Sequence, residues 1–248
     1  MPVPSASVVW ISGASSGIGL ALAGAVPWAA TRVINISRRG APGIEHLAAD
    51  LADPASWDGV AASFRREIAR LEGGRAVFVH AAGTLDPIGF AAEVAPTAYR
   101  RNVILNAAAP QALGQAFVAA AAGRTGRSDL VLLTSGAAHH VYPGWSAYGA
   151  AKAAVDQWVR NVGAEQASRG GVRVVAIAPG TVDTAMQARI RETPAEVFPL
   201  RQRFIDLYRS GGLADPAVVA ARIWALVDAG VDNGAVVDLR DQPAEPPG

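Results

Sequence analysis

Tyr148 and Lys152 stand four residues apart in the stretch Y-G-A-A-K, and Ser135 lies thirteen residues before the tyrosine. On a helix that spacing puts a phenol and an ammonium on one face, about one turn apart. A free phenol has a pKa of about 10, too high for easy proton exchange at neutral pH, and a neighbouring ammonium favours the phenolate. Lys152 would thus tune an acid, and Tyr148 would pass a proton to a substrate oxygen as hydride reaches the carbon. A hydroxyl at Ser135, closing a strand, would hydrogen-bond the same oxygen as negative charge develops on it. Tyr and Lys at this spacing recur by chance in many helices. The specificity lies in the three residues together, behind a glycine turn.

That turn reads S-G-A-S-S-G-I-G from Ser12 to Gly19. Gly13, Gly17 and Gly19 fall between a strand and a helix, where missing side chains allow a tight bend and close approach of backbone amides to a pyrophosphate. Gly13, Ser15, Ser16, Gly17, Ile18 and Gly19 therefore form a candidate dinucleotide cradle, although a purely structural turn has the same composition. The next strand ends in Ser37-Arg38-Arg39. An acidic residue there would bind the ribose hydroxyls of NAD. Ser37 can instead donate a hydrogen bond and Arg38 can pair with a 2′-phosphate, which points to NADP(H).

The elements that must carry these groups alternate. Strands are expected at Val8 to Ser12, Arg32 to Ser37, Glu45 to Leu51, Ala76 to Ala81, Leu130 to Ser135, Val172 to Ala178 and Ala235 to Leu239. Helices are expected from Gly17 to Val26, Pro54 to Leu71, Pro96 to Ala122, Ala147 to Ser168 and Asp215 to Ala229, with 183–213 irregular or short-helical. Such alternation implies an α/β fold, a single-domain doubly wound parallel sheet of Rossmann type with helices on both faces. At 248 residues, 51% hydrophobic and 17% charged, the chain fits one domain with a large core. The polar clusters begin where strands stop, so they should meet in one cleft.

From Ser12 to the Pro179-Gly180-Thr181-Val182-Asp183-Thr184 segment the chain resembles the short-chain dehydrogenase/reductase family. The resemblance implies an Asn-Ser-Tyr-Lys tetrad in which Ser135, Tyr148 and Lys152 join Asn102, whose part is to hold a water that relays protons to the lysine; Asn106 is the rival. It assigns Asp50 and Leu51 to the adenine, although Asp50 and Asp53 also suit helix capping. Ala81, Ala82 and Gly83 fall where the family has the end of N-N-A-G, with His80 as a structural replacement for an asparagine. Pro179, Gly180, Val182 and Thr184 match the loop that receives the nicotinamide carboxamide and phosphates. Ser16 departs from many NADP-preferring members, which are basic there.

Two stretches, 135–152 and 179–191, are similar to benzil reductases and more distantly to sepiapterin reductases. These imply NADPH and a vicinal dicarbonyl or related small-molecule carbonyl substrate, with Asp238 or Asp241 as a candidate pterin anchor. His139, Tyr142, Trp145 and Met186 are candidate substrate contacts, beside a lid at about 183–213, although each aromatic also suits core packing. The competing readings are oxidation of a secondary alcohol and a nucleotide-binding scaffold without turnover. A net charge of +1 with scattered signs argues against a nucleic-acid partner. The absence of cysteine excludes thiol catalysis, and no histidine has metal-ligand spacing, so no metal is expected. No membrane partner is expected either. A cytoplasmic homodimer or homotetramer completes the expectation.

Overall fold

The computed structural model describes residues 7–243. Its strands, β1 (Ser7–Ser12), β2 (Thr31–Ser37), β3 (Glu45–Ala48), β4 (Arg75–His80), β5 (Arg127–Leu133), β6 (Arg173–Ala178) and β7 (Val236–Asp238), form one sheet in the order β3-β2-β1-β4-β5-β6-β7. All neighbours are parallel. After β3 the chain returns to the other side of β1, so the carboxyl ends of β1 and β4 flank the crevice where such sheets bind ligands. The doubly wound Rossmann-type expectation holds.

Near-continuous apolar strands follow from having both faces covered. Along β1, Val8 and Trp10 join Phe64, Leu113 and Val155 on one side, whereas Val9 and Ile11 join Leu22, Ile223 and Trp224 on the other. Burying each such side chain contributes on the order of 2 kcal/mol. The first layer is built by α2 (Trp57–Ile68), α4 (Ala109–Ala120) and α5 (Ser146–Arg169), and the second by α1 (Gly17–Gly24) and α8 (Pro216–Ala229).

Three boundaries differ from the sequence pattern, each for a local reason. Helix α1 stops at Gly24 instead of Val26, because Pro27 disfavours helical backbone just before it. The expected helix from Pro54 begins as a 3-10 turn, Pro54–Ser56, whose Ala55 amide donates to Asp53 Oδ1 at 3.1 Å. The long helix from Pro96 is not uniform: α3 (Pro96–Val103) widens into a π turn, Ile104–Ala108, before α4. Pro110 explains this, since it has no amide proton for the carbonyl of Asn106 four residues earlier and its ring crowds that carbonyl.

By length and composition Pro96–Ala120 could cross a membrane, yet in the domain it packs against α2 and α5. Residues 183–213 carry two short helices, α6 (Ala185–Glu192) and α7 (Arg201–Arg209).

Candidate active site

Gly13 has φ +74°, and a Cβ there would lie 2.9 Å from Ala82 Cα, while one on Gly19 would lie 2.5 Å from the Gly13 carbonyl oxygen. Side chains are thus excluded where β1 turns into α1 against the end of β4. The Ala82 amide donates to Ser12 Oγ at 3.0 Å and fixes that contact. Ser16 caps α1 without a side-chain hydrogen bond, so the first-turn amides keep their capacity for an anion.

A cleft of about 480 Å³ opens there. Its walls include Gly13, Ser15, Ser16, Gly17, Ile18 and Gly19 from the turn, Ser37, Arg38, Asp50 and Leu51 from the ends of β2 and β3, Ala81, Ala82 and Gly83 after β4, and Thr184 and Met186 at the start of α6. The donors and the bare backbone suit a dinucleotide. Pro179, Gly180 and Val182 continue from β6 outside that lining. Val182 is buried in the core and bridges to Ala214, so any contact it makes with a nicotinamide is through its backbone.

Two polar groups expected to face the cofactor are already partnered. The Ser37 hydroxyl donates to the Arg39 carbonyl, whereas the Arg38 guanidinium at the cleft makes no hydrogen bond among the described residues. Asp50 Oδ1 accepts from the Ala52 amide at 3.1 Å and Oδ2 from Arg101 Nη2 at 2.5 Å. Burial pushes the Asp50 carboxyl up, but those two donors outweigh it and hold it below its usual range. Arg101, on α3, was not singled out from the sequence.

Tyr148 and Lys152 share the face of α5 that meets the end of β5, at 8% and 5% exposure. Ser135 places its hydroxyl beside the Tyr148 phenol. Ser135 Oγ also accepts from the Ala137 amide at 3.1 Å, which caps the 3-10 turn Gly136–Ala138 and orients the hydroxyl. One sequence expectation needs correction. The Lys152 ammonium donates to the Leu133 carbonyl at 2.7 Å and sits 5.7 Å from the centre of the Tyr148 ring, and burial of the phenol outweighs its pull towards phenolate. Burial raises the Tyr148 pKa above its ordinary value, and the neighbouring Ser135 hydroxyl offsets part of that. Burial lowers Lys152 to about 8, opposed by the negative charge of Asp156.

Both candidate asparagines are buried and bonded to each other, with Asn106 Nδ2 donating to Asn102 Oδ1 at 2.9 Å. Asn102 Nδ2 is taken up by the carbonyls of Asp86, at 2.8 Å, and Thr84, at 3.2 Å. Asn106 holds Thr84 at both ends, accepting from its amide at 3.0 Å and donating to its carbonyl at 2.8 Å. Asn106 lies within the π turn, which packs against α5. Pro110 was the sequence signal for that irregularity.

Of the candidate substrate contacts, Trp145 joins Tyr148 in a third apolar cluster with Phe198 and Phe204 from the 183–213 segment, and Tyr142 and Met186 pack against it. Trp145 stacks on Phe198 at 4.8 Å and meets the Tyr148 ring edge-on at 6.0 Å. His139 does not join them. Its Nε2 lies 3.0 Å from Oδ2 of the buried Asp156, which fits its place just past the 3-10 turn, where it faces the flank of α5. Asp238, one of the two candidate pterin anchors with Asp241, is bonded to Arg240 through both carboxylate oxygens.

The short chain dehydrogenase family model matches residues 7–195, which span the glycine turn, Ser135, Tyr148 and Lys152. The chain belongs to the short-chain dehydrogenase family. Among family members, a benzil reductase, (S)-benzoin forming, of Bacillus cereus is 32% identical over 235 residues, 89% of this chain and 93% of that one. The benzil reductase of Bacillus subtilis (strain 168) is 35% identical over 164 residues, 66% of this chain and 68% of the other. The crystal structure of the KRED1-Pglu enzyme superposes with a TM-score of 0.79 at 26% identity, covering 93% of this chain and 100% of that one. As a short-chain dehydrogenase the protein is an oxidoreductase of small molecules that uses a nicotinamide dinucleotide.

Proposed function

We propose that this short-chain dehydrogenase is an NADPH-dependent carbonyl reductase whose substrate is a ketone or vicinal diketone with aromatic or bulky groups, as benzil is. The observation that carries the proposal is the buried Tyr148 phenol, set beside Lys152 on α5 within an aromatic cluster. Burial keeps the phenol protonated, and a protonated phenol is the form needed to give a proton to a carbonyl oxygen. Similarity to benzil reductases supports the substrate class. Arg38 at the cleft supports NADPH, through the charge of a 2′-phosphate.

When bound, the reduced nicotinamide supplies the hydride. Tyr148 gives its proton to the substrate oxygen, so that carbonyl plus hydride plus proton becomes an alcohol. Ser135 hydrogen-bonds that oxygen and holds it for Tyr148. Lys152, fixed by Leu133, supplies positive charge beside the phenol as it loses its proton. Asn106, in place of Asn102, is assigned the relay position, because the π turn brings its backbone to α5 and Pro110 withholds the helical donor from its carbonyl. A cytoplasmic homodimer or homotetramer is part of the same proposal.

The test is NADPH consumption by purified protein with benzil, phenylpropanedione and sepiapterin. Consumption with the diketones supports the proposal. Cofactor binding without loss of any carbonyl contradicts it.

A further inference from the structure

Arg240 emerges from the short turn after β7, Leu239–Asp241, and reaches across the carboxyl ends of two neighbouring strands. A Cβ built on Gly136, the residue after Ser135, would lie 3.4 Å from Arg240 Nη2. A Cβ on Gly180, in the loop after β6, would lie 3.4 Å from Arg240 Cγ and 3.5 Å from Cδ. Two glycines therefore leave open the space that this one side chain fills, and Gly180 has the positive φ of +80° that makes a side chain there strained in any case.

The guanidinium is held in one orientation. Arg240 Nε donates to Asp238 Oδ1 at 2.9 Å and Nη2 to Asp238 Oδ2 at 2.6 Å, a two-pronged pair that fixes the planar group. Arg240 is 55% exposed while Asp238 is 19% exposed, so the carboxylate lies behind and the cation in front. Arg240 Nη1 meets no acceptor among the described residues. A fixed, accessible pair of N–H donors thus stands beside the residue that follows Ser135. A monoketone has no group for them. A substrate with an oxygen on the carbon next to the reacting carbonyl does.

We propose that Arg240, held by Asp238, is a specificity-determining residue that binds the second oxygen of a vicinal dioxygen substrate. The inference rests on the carbonyl-reductase reading above and narrows its substrate class. The same pairing occupies the Asp238 carboxylate, which removes it as an anchor for a donor-rich heterocycle. The oxygen recognised is that of a ketone, as in benzil, or of a carboxylate, as in benzoylformate. Both present an acceptor at the same place.

The experiment compares kcat/KM for benzil, benzoylformate and deoxybenzoin, which is benzil without the second oxygen, in the parent enzyme, Arg240→Leu and Arg240→Lys. Titration with NADPH checks that each variant is folded. The benzil-to-deoxybenzoin or benzoylformate-to-deoxybenzoin ratio should fall about 10- to 100-fold in Arg240→Leu, the range expected for a hydrogen bond to a charged donor, with partial recovery in Arg240→Lys. A fall confined to benzil identifies the ketone oxygen, and one confined to benzoylformate the carboxylate. Both ratios within about twofold of the parent would overturn the role of Arg240. A parent enzyme inert with all three ketones would instead overturn the reductase reading itself.

Discussion

His139 Nε2 lies 3.0 Å from Asp156 Oδ2, joining the turn that carries Ser135 to the helix that carries Tyr148 and Lys152. Asp156 is wholly buried and follows Lys152 by one helical turn. Burial pushes its carboxyl up, while His139 and Lys152 favour its anion. It therefore links the Ser135 turn, through His139, to the helix turn that carries Lys152.

Asp156→Asn keeps the shape and removes the charge. The Asp156 anion raises the Lys152 pKa, which stands at about 8, so losing it lets the ammonium deprotonate at lower pH. The alkaline limb of the kcat/KM profile should move down the pH scale, with kcat reduced several-fold at pH 8. An unmoved limb would show that Lys152 does not sense this carboxylate.

His80 gives a pH prediction for stability. It is 2% exposed, neither ring nitrogen has a hydrogen-bond partner, and burial, with help from Lys152, lowers its pKa to about 3. Below its ordinary value of about 6.5 the unfolded chain takes up a proton that the folded chain refuses until about pH 3. Stability present above pH 6.5 is therefore lost as the pH falls through that window, by up to about 1.4 kcal/mol per pH unit. His80→Asn, which restores the residue that N-N-A-G has there, should flatten the decline of the urea midpoint between pH 6.5 and 4.5. An equal slope in parent and variant would count against a buried neutral imidazole.

These two residues mark how far the sequence could be read. Ser135, Tyr148, Lys152 and the glycine turn were legible because strand ends and helical spacing act locally, and α/β alternation gave the sheet. Asp156 has the same spacing from Lys152 as Lys152 has from Tyr148, but its partner His139 belongs to another element, and no periodicity reports a contact between elements. His139 was accordingly expected among the substrate contacts, with no sign of its pairing with Asp156. The choice between Asn102 and Asn106 as the proposed relay depended on a helix taken as regular, whereas the loss of one amide at Pro110 opened the π turn around Asn106. Arg240 was hidden for another reason: its neighbours Gly136 and Gly180 meet it only after three strands are laid side by side.

The proposed NADPH preference rests on Arg38, since the Ser37 hydroxyl is engaged by Arg39. Arg38→Asp should move the ratio of kcat/KM for NADPH over NADH towards NADH by about tenfold or more, by removing a phosphate partner and adding like charge. Steady-state kinetics with both cofactors measures it. An unchanged ratio would transfer the role to Arg39, which also lines the cleft.

The most direct measurement is single-turnover oxidation of NADPH by benzil in Tyr148→Phe, with NADPH binding followed in parallel by fluorescence. Removing only the phenol hydroxyl should leave cofactor affinity within about threefold of the parent and slow oxidation about 100- to 10,000-fold, the range for loss of a general acid. Turnover close to the parent rate, with cofactor bound, would contradict Tyr148 as the proton donor.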